Sequence, residues 1–339
     1  MPETTILVVI VVFLALAFDF INGFHDTANA IAASVSTGVL TPRKAIFMAA
    51  TLNLLGATLI GTAVAKTIGK GIIDPAIVTQ PLVVAALVSA IVWNLITWYW
   101  GLPSSSSHAL IGGVVGAGIA SHGFSAIHWV GHKGVSEIFE SLVFSPILGF
   151  VLAFSMVVLL LNAFRHFMPN KVRDIFRVGQ IFAAAFISFS HGSNDAQKAM
   201  GIITMALVSA GYLHDFIVPT WVMWACALSI AVGTASGGWK IIKTMGTKIV
   251  KLQPLQGFGA DLSSAIIIST ASQLGLPVST THVAAGSIMG VGSTRRFSAV
   301  RWGVAGNMLL AWVFTIPITS TLAYLTYWFV QYVLGWFHR

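Results

Sequence analysis

Charged side chains are scarce in this chain of 339 amino acids. Lys and Arg contribute 18 residues and Asp and Glu 10, so that 8% of the chain is charged and 56% is hydrophobic. Water-soluble domains carry about 25% charged residues. The shortage of charge therefore excludes a soluble globular protein and predicts an all-α polytopic membrane protein.

Other features are absent as well, and each absence excludes a class of protein. The single cysteine, Cys226, excludes an internal disulfide. The chain contains no Gly-x-x-x-x-Gly-Lys-[Ser/Thr] loop for nucleotide binding. No basic stretch alternates with stacking aromatics, so the net charge of +8 indicates basic cytoplasmic loops rather than nucleic-acid binding. No residue pair has the spacing of a structural zinc site, and we expect neither a resident metal nor a cofactor.

Hydrophobic runs long enough to cross about 30 Å of hydrocarbon dominate the sequence. The first and sixth are too long for one straight span, and each has a glycine in a polar centre, Gly23 and Gly192. We therefore predict that each consists of two half-helices that meet at the middle of the membrane. No basic leader precedes the first run, which is expected to be an uncleaved span. The ten candidate membrane segments lie near residues 5–37, 44–65, 81–100, 104–121, 142–164, 178–211, 217–237, 257–274, 278–292 and 303–334.

A polar stretch inside the first run is repeated inside the sixth. Phe20-Ile-Asn-Gly-Phe-His-Asp-Thr-Ala-Asn-Ala30 is matched by Phe189-Ser-His-Gly-Ser-Asn-Asp-Ala-Gln-Lys-Ala199, with Phe, Gly, Asp and Ala at equivalent places. An unpaired Asp or His in hydrocarbon costs several kcal/mol. A polar cluster of this cost that occurs twice indicates a transport site.

A second motif is duplicated in the same order. Gly101-Leu-Pro-Ser-Ser-Ser-Ser-His108 is matched by Gly275-Leu-Pro-Val-Ser-Thr-Thr-His282, and each joins two short helices that either span fully or re-enter. The duplications divide the chain into an N-terminal membrane repeat, 1–164, a basic cytoplasmic linker, 165–177, and a C-terminal membrane repeat, 178–339. Because each half has an odd number of crossings, we predict two inverted-topology repeats with the site at their interface. The distribution of basic residues places the N-terminus outside the cell membrane.

The hydroxyl runs after the Gly-Leu-Pro turns suit an anion. Proline ends the preceding helix, so the hydroxyls fall at a new helix start, where backbone N–H groups and the positive dipole end point outward. Two facing helix starts would bind a tetrahedral oxyanion, although any one serine could be an ordinary N-cap. The substrate-binding candidates are Ser105, Ser106, Ser107, Ser279, Thr280 and Thr281.

The acidic centres suit a cation. Asp26 is followed by Asn29, whereas Asp195 is preceded by Asn194 and followed by Lys198. Carboxylate and amide oxygens bind a hard cation such as sodium, and a carboxylate also binds a proton. Lys198 shares a helical face with Asp195, so that this pair has either a coupling role or a purely structural one.

Four histidines are secondary candidates. His25 and His191 neighbour the acidic centres, and His108 and His282 follow the hydroxyl runs. Each could carry a proton or contact an anion, with packing as the alternative.

The remaining intramembrane polar residues are weaker candidates. Asp19 and Asp261 are flanked by apolar residues, and Asn53 and Asn94 are interpreted as hydrogen-bonding residues between packed helices. Close helix packing is also expected at two Gly-x-x-x-Gly motifs, Gly112–Gly116 and Gly286–Gly290.

Together, Gly23-Phe-His-Asp-Thr-Ala-Asn29, His191-Gly-Ser-Asn-Asp-Ala-Gln-Lys198 and both Gly-Leu-Pro motifs resemble the inorganic phosphate transporter (PiT) family over nearly the whole chain. The resemblance implies a secondary transporter that imports inorganic phosphate in symport with a cation by alternating access. It implies phosphate contacts on the hydroxyl motifs. It implies cation and phosphate contacts on Asp26, Asn29, Asn194 and Asp195.

Two residues depart from the family pattern. His25 and Lys198 each stand where the family has Asn. With a lysine at position 198, the chain resembles the bacterial low-affinity phosphate permeases of the family. These are typically proton-driven and in some cases carry metal–phosphate complexes. Because an ammonium beside Asp195 could take the place of a second sodium ion, we expect coupling to protons, or to fewer sodium ions than in sodium-driven members.

Alternatives from other classes stay open at this point. Sulfate shares the size and geometry of phosphate, so a sulfate permease of the same fold is the nearest alternative. An intramembrane serine hydrolase would pair a serine of 104–107 with His108, yet side chains so close in sequence rarely meet for proton transfer. An anion channel would not need buried carboxylates in both halves. The sequence is also compatible with a homo-oligomer.

Overall fold

The structure, a computed structural model, describes residues 2–130 and 134–337. Within these residues the chain forms twelve α-helices and no strand, which confirms the all-α prediction. The helices are α1 (Pro2–Ser36), α2 (Pro42–Leu59), α3 (Ala63–Gly71), α4 (Gln80–Trp100), α5 (Ser106–His122), α6 (Val135–Ala163), α7 (Pro169–Ser209), α8 (Thr220–Ser236), α9 (Trp239–Lys243), α10 (Pro254–Leu274), α11 (Thr280–Ser293) and α12 (Trp302–Phe337).

Several helices are suited to a lipid environment. Four, namely α1, α4, α6 and α12, contain stretches long and apolar enough to cross a membrane. Two bent pairs, α2 with α3 and α8 with 239–248, turn through 72° and 62°, and the count rises to six if each pair is one span. Large apolar side chains such as Phe13, Phe47 and Phe329 are exposed on the outside. The chain is therefore a multi-pass membrane protein, while the count of ten segments stays a prediction.

The helices that carry the duplicated polar motif, α1 and α7, are each continuous, so the prediction of half-helices is wrong. Gly23 and Gly192 allow close packing instead. A Cβ atom at Gly23 would overlap the carbonyl oxygen of Ile230 in α8, and one at Gly192 would overlap that of Asn53 in α2. Neither helix has a proline beyond its first turn, and a glycine alone removes no backbone hydrogen bond.

The helices that carry the duplicated polar motif make matching contacts. Gly233 of α8 packs against the carbonyl group of Phe20 in α1, and Gly56 of α2 packs against that of Phe189 in α7. Phe20 and Phe189 are equivalent positions of the duplicated motif. The helices α1 and α7 themselves run in opposite directions. Thr37, just after the end of α1, donates a 2.9 Å hydrogen bond to Gln180 in the first third of α7, whereas Asp26, earlier in α1, lies beside Asp195, later in α7.

The Gly-x-x-x-Gly motifs are packing sites, as the sequence predicted. Gly112 and Gly116 of α5 pack against Ile316 and Ser320 of α12. In the same way, the motif at Gly286–Gly290 in α11 packs against the backbone of α6 around its internal proline. The last helix of each half thus lies against the other half of the chain.

The Gly-Leu-Pro turns bring two helix starts to the centre of the bundle. Gly101 and Gly275 have φ angles of 66° and 74°, a left-handed conformation that glycine adopts without a Cβ penalty. In both turns the N–H of the following leucine donates to a carbonyl group in the last turn of the helix, at 2.9 Å and 2.8 Å. New helices then begin at Ser106 and Thr280, inside the hydroxyl runs as expected.

We predict that Gly56→Ala destabilises the protein, because the added methyl group overlaps the α7 backbone. Overpacking of this kind costs about 1–3 kcal/mol. Gly306→Ala in α12 is the matched control, since nothing lies within 4 Å of a Cβ atom at that position. Thermal unfolding in detergent measures both variants. Equal unfolding temperatures for the two would contradict the close crossing of α2 and α7.

Candidate functional site

The predicted acidic and hydroxyl residues gather at one place inside the bundle. Asp26 of α1 and Asp195 of α7 lie beside the starts of α5 and α11, and Asp26 and Asp195 are 1% and 0% exposed. Groups that are far apart in sequence therefore share one dry environment, in which each charge needs a partner.

Asp26 accepts hydrogen bonds from three elements. Ser106 Oγ at the start of α5 donates to Oδ2 at 3.0 Å, and Thr281 Oγ1 at the start of α11 donates to Oδ1 at 3.2 Å. His25 Nδ1 lies 2.7 Å from Oδ1. One carboxylate of the N-terminal half thus contacts both hydroxyl motifs.

Asp195 has a matching but more strongly charged set of partners. Lys198 Nζ donates to Oδ1 at 2.6 Å, and the whole Lys198 side chain is buried. Thr280 Oγ1 donates to Oδ2 at 3.1 Å, and His191 Nε2 lies 3.2 Å from the same oxygen. The predicted Asp–Lys pair is present.

The first turn of α11 links the two carboxylates. Thr280 binds Asp195 and its neighbour Thr281 binds Asp26, while Asn29 Nδ2 donates to the two threonine hydroxyls at 3.3 Å and 2.9 Å. One atom from each of Asp26, His191 and Asp195 that could coordinate a cation lies within 4.8 Å of the other two. The centre of the bundle thus holds two carboxylates beside one ammonium, with a histidine ring against each carboxylate.

The six candidate hydroxyl side chains make three different kinds of hydrogen bond. Ser105 and Ser279 are N-caps, each accepting a 3.2 Å hydrogen bond from the backbone N–H three residues later, so the ordinary capping interpretation applies to these two. Ser107 Oγ donates to the carbonyl group of Val278 at 3.0 Å. The other three candidates, Ser106, Thr280 and Thr281, donate to the carboxylates.

The amide side chains present acceptors to the site. Asn194 Nδ2 donates to Ser272 Oγ at 3.0 Å and to the Leu276 carbonyl at 3.3 Å, which ties α7 to the second Gly-Leu-Pro turn. The Oδ1 atoms of Asn29 and Asn194 are buried and accept no hydrogen bond within the described residues. Both oxygens are suited to a cation.

The four histidines fall into two pairs. His25 Nε2 lies 3.1 Å from Thr97 Oγ1, and His191 Nδ1 lies 3.3 Å from the side-chain oxygen of Asn53, so both rings join an aspartate to a neighbouring helix. The rings of His108 and His282 instead contact each other at 4.5 Å, where α5 meets α11. This second pair packs the two helix starts together.

Sequence reasoning missed several supporting residues and misjudged one. Thr97 and Ser272 carry hydrogen bonds of the site, but isolated hydroxyls in apolar helices gave no signal. Asn53 does bond between helices, donating to Thr234 at 2.8 Å. Asn94 does not, because neither of its buried amide atoms has a hydrogen-bond partner in the part of the chain described.

The fold and the site define a class of protein: a multi-pass helical membrane protein with paired carboxylates and helix starts at its centre. The sequence profile of the phosphate transporter family matches residues 22–168 and again 162–323. The chain belongs to the phosphate transporter family.

Individual relatives agree with this assignment. A probable low-affinity inorganic phosphate transporter of Bacillus subtilis is 52% identical over 332 residues, covering 97% of this chain and 98% of the relative. A protein of the same description from Rhizobium meliloti is 52% identical over 315 residues, covering 93% of each chain. A solved structure described as the sodium-dependent phosphate transporter superposes with a TM-score of 0.90 at 27% identity, covering 97% of this chain and 100% of that one.

The hydrolase alternative is excluded, since these relatives are transporters and not enzymes. The geometry also offers no Ser–His108 pair. Ser105 bonds to the backbone N–H of His108, and the ring nitrogens of His108 have no hydrogen-bond partner among the described residues.

We predict that Lys198→Met strongly destabilises the protein, because it leaves Asp195 buried without its ammonium partner. Loss of one member of a buried ion pair costs about 3–5 kcal/mol. The double variant Lys198→Met, Asp195→Asn removes both charges and should recover most of that loss. Thermal unfolding of the two variants and the unaltered protein measures the coupling. Additive losses would mean that the two charges do not depend on each other.

Proposed function

We propose that the protein imports inorganic phosphate across the cell membrane in symport with a cation, with the proton favoured and sodium as the alternative. The observation that carries this proposal is the cluster of Asp26 and Asp195 with a single ammonium, Lys198, between helix starts that bear hydroxyl donors. A negative site would repel phosphate, so a cation must neutralise it before the anion binds.

The cation position is formed by the carboxylates and the free amide oxygens. Asp26 and Asp195 supply charge, and the Oδ1 atoms of Asn29 and Asn194 supply neutral oxygen. Such oxygens bind sodium, and a carboxylate of the pair equally accepts a proton. His191 is a further acceptor within reach when its ring is neutral.

Phosphate binds at the starts of α5 and α11. Cation binding weakens the hold of Asp26 and Asp195 on the hydroxyls of Ser106, Thr280 and Thr281, and these donors can then turn to the anion. The N-terminal dipoles of both helices favour negative charge at this place. Ser105, Ser107 and Ser279 support the helix starts through their caps and backbone contacts.

The proposed architecture is an inverted repeat, with residues 1–164 and 178–339 as the halves and 165–177 as a cytoplasmic linker. Three observations support it: the antiparallel α1 and α7, the matched glycine contacts and the double match of the family profile. The positive-inside bias supports an N-terminus outside the cell. Rocking of the halves would expose the site to each side in turn.

Labelled-phosphate uptake into liposomes tests the function. We expect an inward proton gradient to drive accumulation, and a sodium gradient without a proton gradient to drive less. The carboxylate variant Asp26→Asn should lose gradient-driven uptake by at least about tenfold while remaining folded. The control is Asp174→Asn, an exposed carboxylate at the start of α7. Normal uptake by Asp26→Asn would show that Asp26 does not bind the coupling cation. Strong competition by sulfate would indicate that sulfate is the substrate.

Lys198 should set the number of coupling ions. Its ammonium holds Asp195 at 2.6 Å, so it occupies a position that a second mobile cation could otherwise fill. We predict that in Lys198→Asn a mobile cation takes the place of the ammonium beside Asp195, so that the variant stays folded in the presence of that cation and either changes the coupling ion or raises the number of cations carried per phosphate. Stoichiometry is measured from the gradient that just balances phosphate flux. An unchanged ion and an unchanged stoichiometry would show that Lys198 is only a structural partner.

A further inference from the structure

A cavity of about 550 Å³ lies at the end of α6, and none of the candidate site residues lines it. Four parts of the chain form its walls: the end of α6, the start of α7, the start of α10 and the segment after α11. The ring of Phe164 packs against that of Phe176 in α7, with 5.2 Å between the ring centroids. Gln256 in the first turn of α10 donates a 3.2 Å hydrogen bond to the carbonyl group of Val291 in α11. These contacts hold the four parts together around the cavity.

Three arginines, Arg165, Arg173 and Arg295, line this cavity, and none of the described residues in its walls is acidic. Arg165 Nε donates to His166 Nε2 at 2.9 Å, which uses one of the five N–H donors of the guanidinium group. Arg173 Nε lies 3.6 Å from the carboxylate of Asp174, but both side chains are more than half exposed, so water screens this pair. The cavity therefore carries positive charge, in the planar donor groups that match a phosphate best.

The start of α7 adds to this positive charge. Pro169 and Asn170, the first two of its 41 residues to line the cavity, belong to a first turn that no side chain of the described residues caps. The N–H groups of an uncapped first turn and the positive end of the helix dipole both attract phosphate. The start of α10 contributes less, because Gln253 and Gln256 close its first turn in a capping box.

The remaining wall of the cavity is apolar, and its position matches the headgroup region of a bilayer. The stretch of α6 that is apolar enough to cross a membrane ends at Ala163, and the cavity lies directly at this end. Leu161 and Phe167 line it and are 47% and 53% exposed. The proposed orientation places this end of α6 in the cytoplasm, where the leaflet carries anionic lipids that basic pockets bind. A free anion gains nothing from apolar walls, whereas a phospholipid has both a phosphate and apolar chains.

We propose that this arginine-lined cavity binds the phosphate headgroup of an anionic phospholipid. The headgroup phosphate accepts hydrogen bonds from the guanidinium groups and from the start of α7, and the apolar part of the lipid lies against Leu161 and Phe167. Because α6 belongs to the N-terminal half and α7 and α10 belong to the C-terminal half, the lipid bridges the two halves beside their linker. This inference is independent of what the protein transports.

Native mass spectrometry of the purified protein in detergent, titrated with phosphatidylglycerol or phosphatidylcholine, tests the proposal. We expect the triple variant Arg165→Gln, Arg173→Gln, Arg295→Gln to raise the dissociation constant for phosphatidylglycerol by at least about tenfold. Phosphatidylcholine has no net charge and should bind weakly to both proteins. A control triple variant replaces three exposed basic residues outside the cavity with Gln: Arg43, Lys44 and Lys248. Equal losses in the two triple variants would show attraction to general surface charge and would overturn the site.

Cysteine labelling tests the same site with all three arginines in place. The single native cysteine, Cys226, is buried, so Asn170→Cys introduces one exposed thiol in the cavity wall. We expect phosphatidylglycerol, but not phosphatidylcholine, to slow the reaction of this thiol with a maleimide several-fold. Ser298→Cys is the matched control, an exposed position outside the cavity whose labelling should not change.

Two outcomes of the labelling experiment would overturn the lipid site. Labelling of Asn170→Cys that phosphatidylglycerol does not slow would show that no headgroup covers the start of α7. Inorganic phosphate added in place of lipid distinguishes the two sources of a phosphate group. If inorganic phosphate alone protects Asn170→Cys as well as the lipid does, the cavity binds the free anion and not a phospholipid.

Discussion

The arrangement of the whole bundle depends on two carboxylates held a few ångströms apart in a dry interior. Asp26 and Asp195 belong to antiparallel helices, and neighbouring threonines of one helix turn, Thr280 and Thr281, each bind one of them. Like charges at this separation repel strongly where water is absent. The ammonium of Lys198, 2.6 Å from Asp195, offsets part of that repulsion.

The two aspartates can lie this close together because the backbones of neighbouring helices approach each other closely. The glycines at Gly23, Gly56, Gly192 and Gly233 let α1 meet α8 and α2 meet α7 with no side chain between them. Close crossings hold the carboxylate-bearing helices in fixed register, so the aspartates are presented by rigid elements and not by loops. Small residues at helix crossings are the general means by which membrane helices pack without a hydrophobic driving force.

Sequence patterns predicted the local features and missed those that depend on tertiary contact. The Gly-Leu-Pro turns, the helix starts after them and the Asp195–Lys198 pair follow from rules that act over a few residues. The helix breaks expected at Gly23 and Gly192 are absent. A glycine can either end a helix or allow a second helix to pack closely against it, and which of the two occurs depends on the tertiary contacts. The bond from Thr281 to Asp26 joins residues far apart in the chain, and no local pattern contains it. Asn94 was misjudged for the same reason.

The contact of each half's last helix with the other half has a consequence for how the protein is made. The helix α6 is synthesised before α11, the helix on which it packs through Gly286, has left the ribosome. In the N-terminal half, α6 therefore lacks its packing partner α11 until the C-terminal half is inserted into the membrane. Folding cannot proceed one half after the other, and the two halves reach their final structure only together.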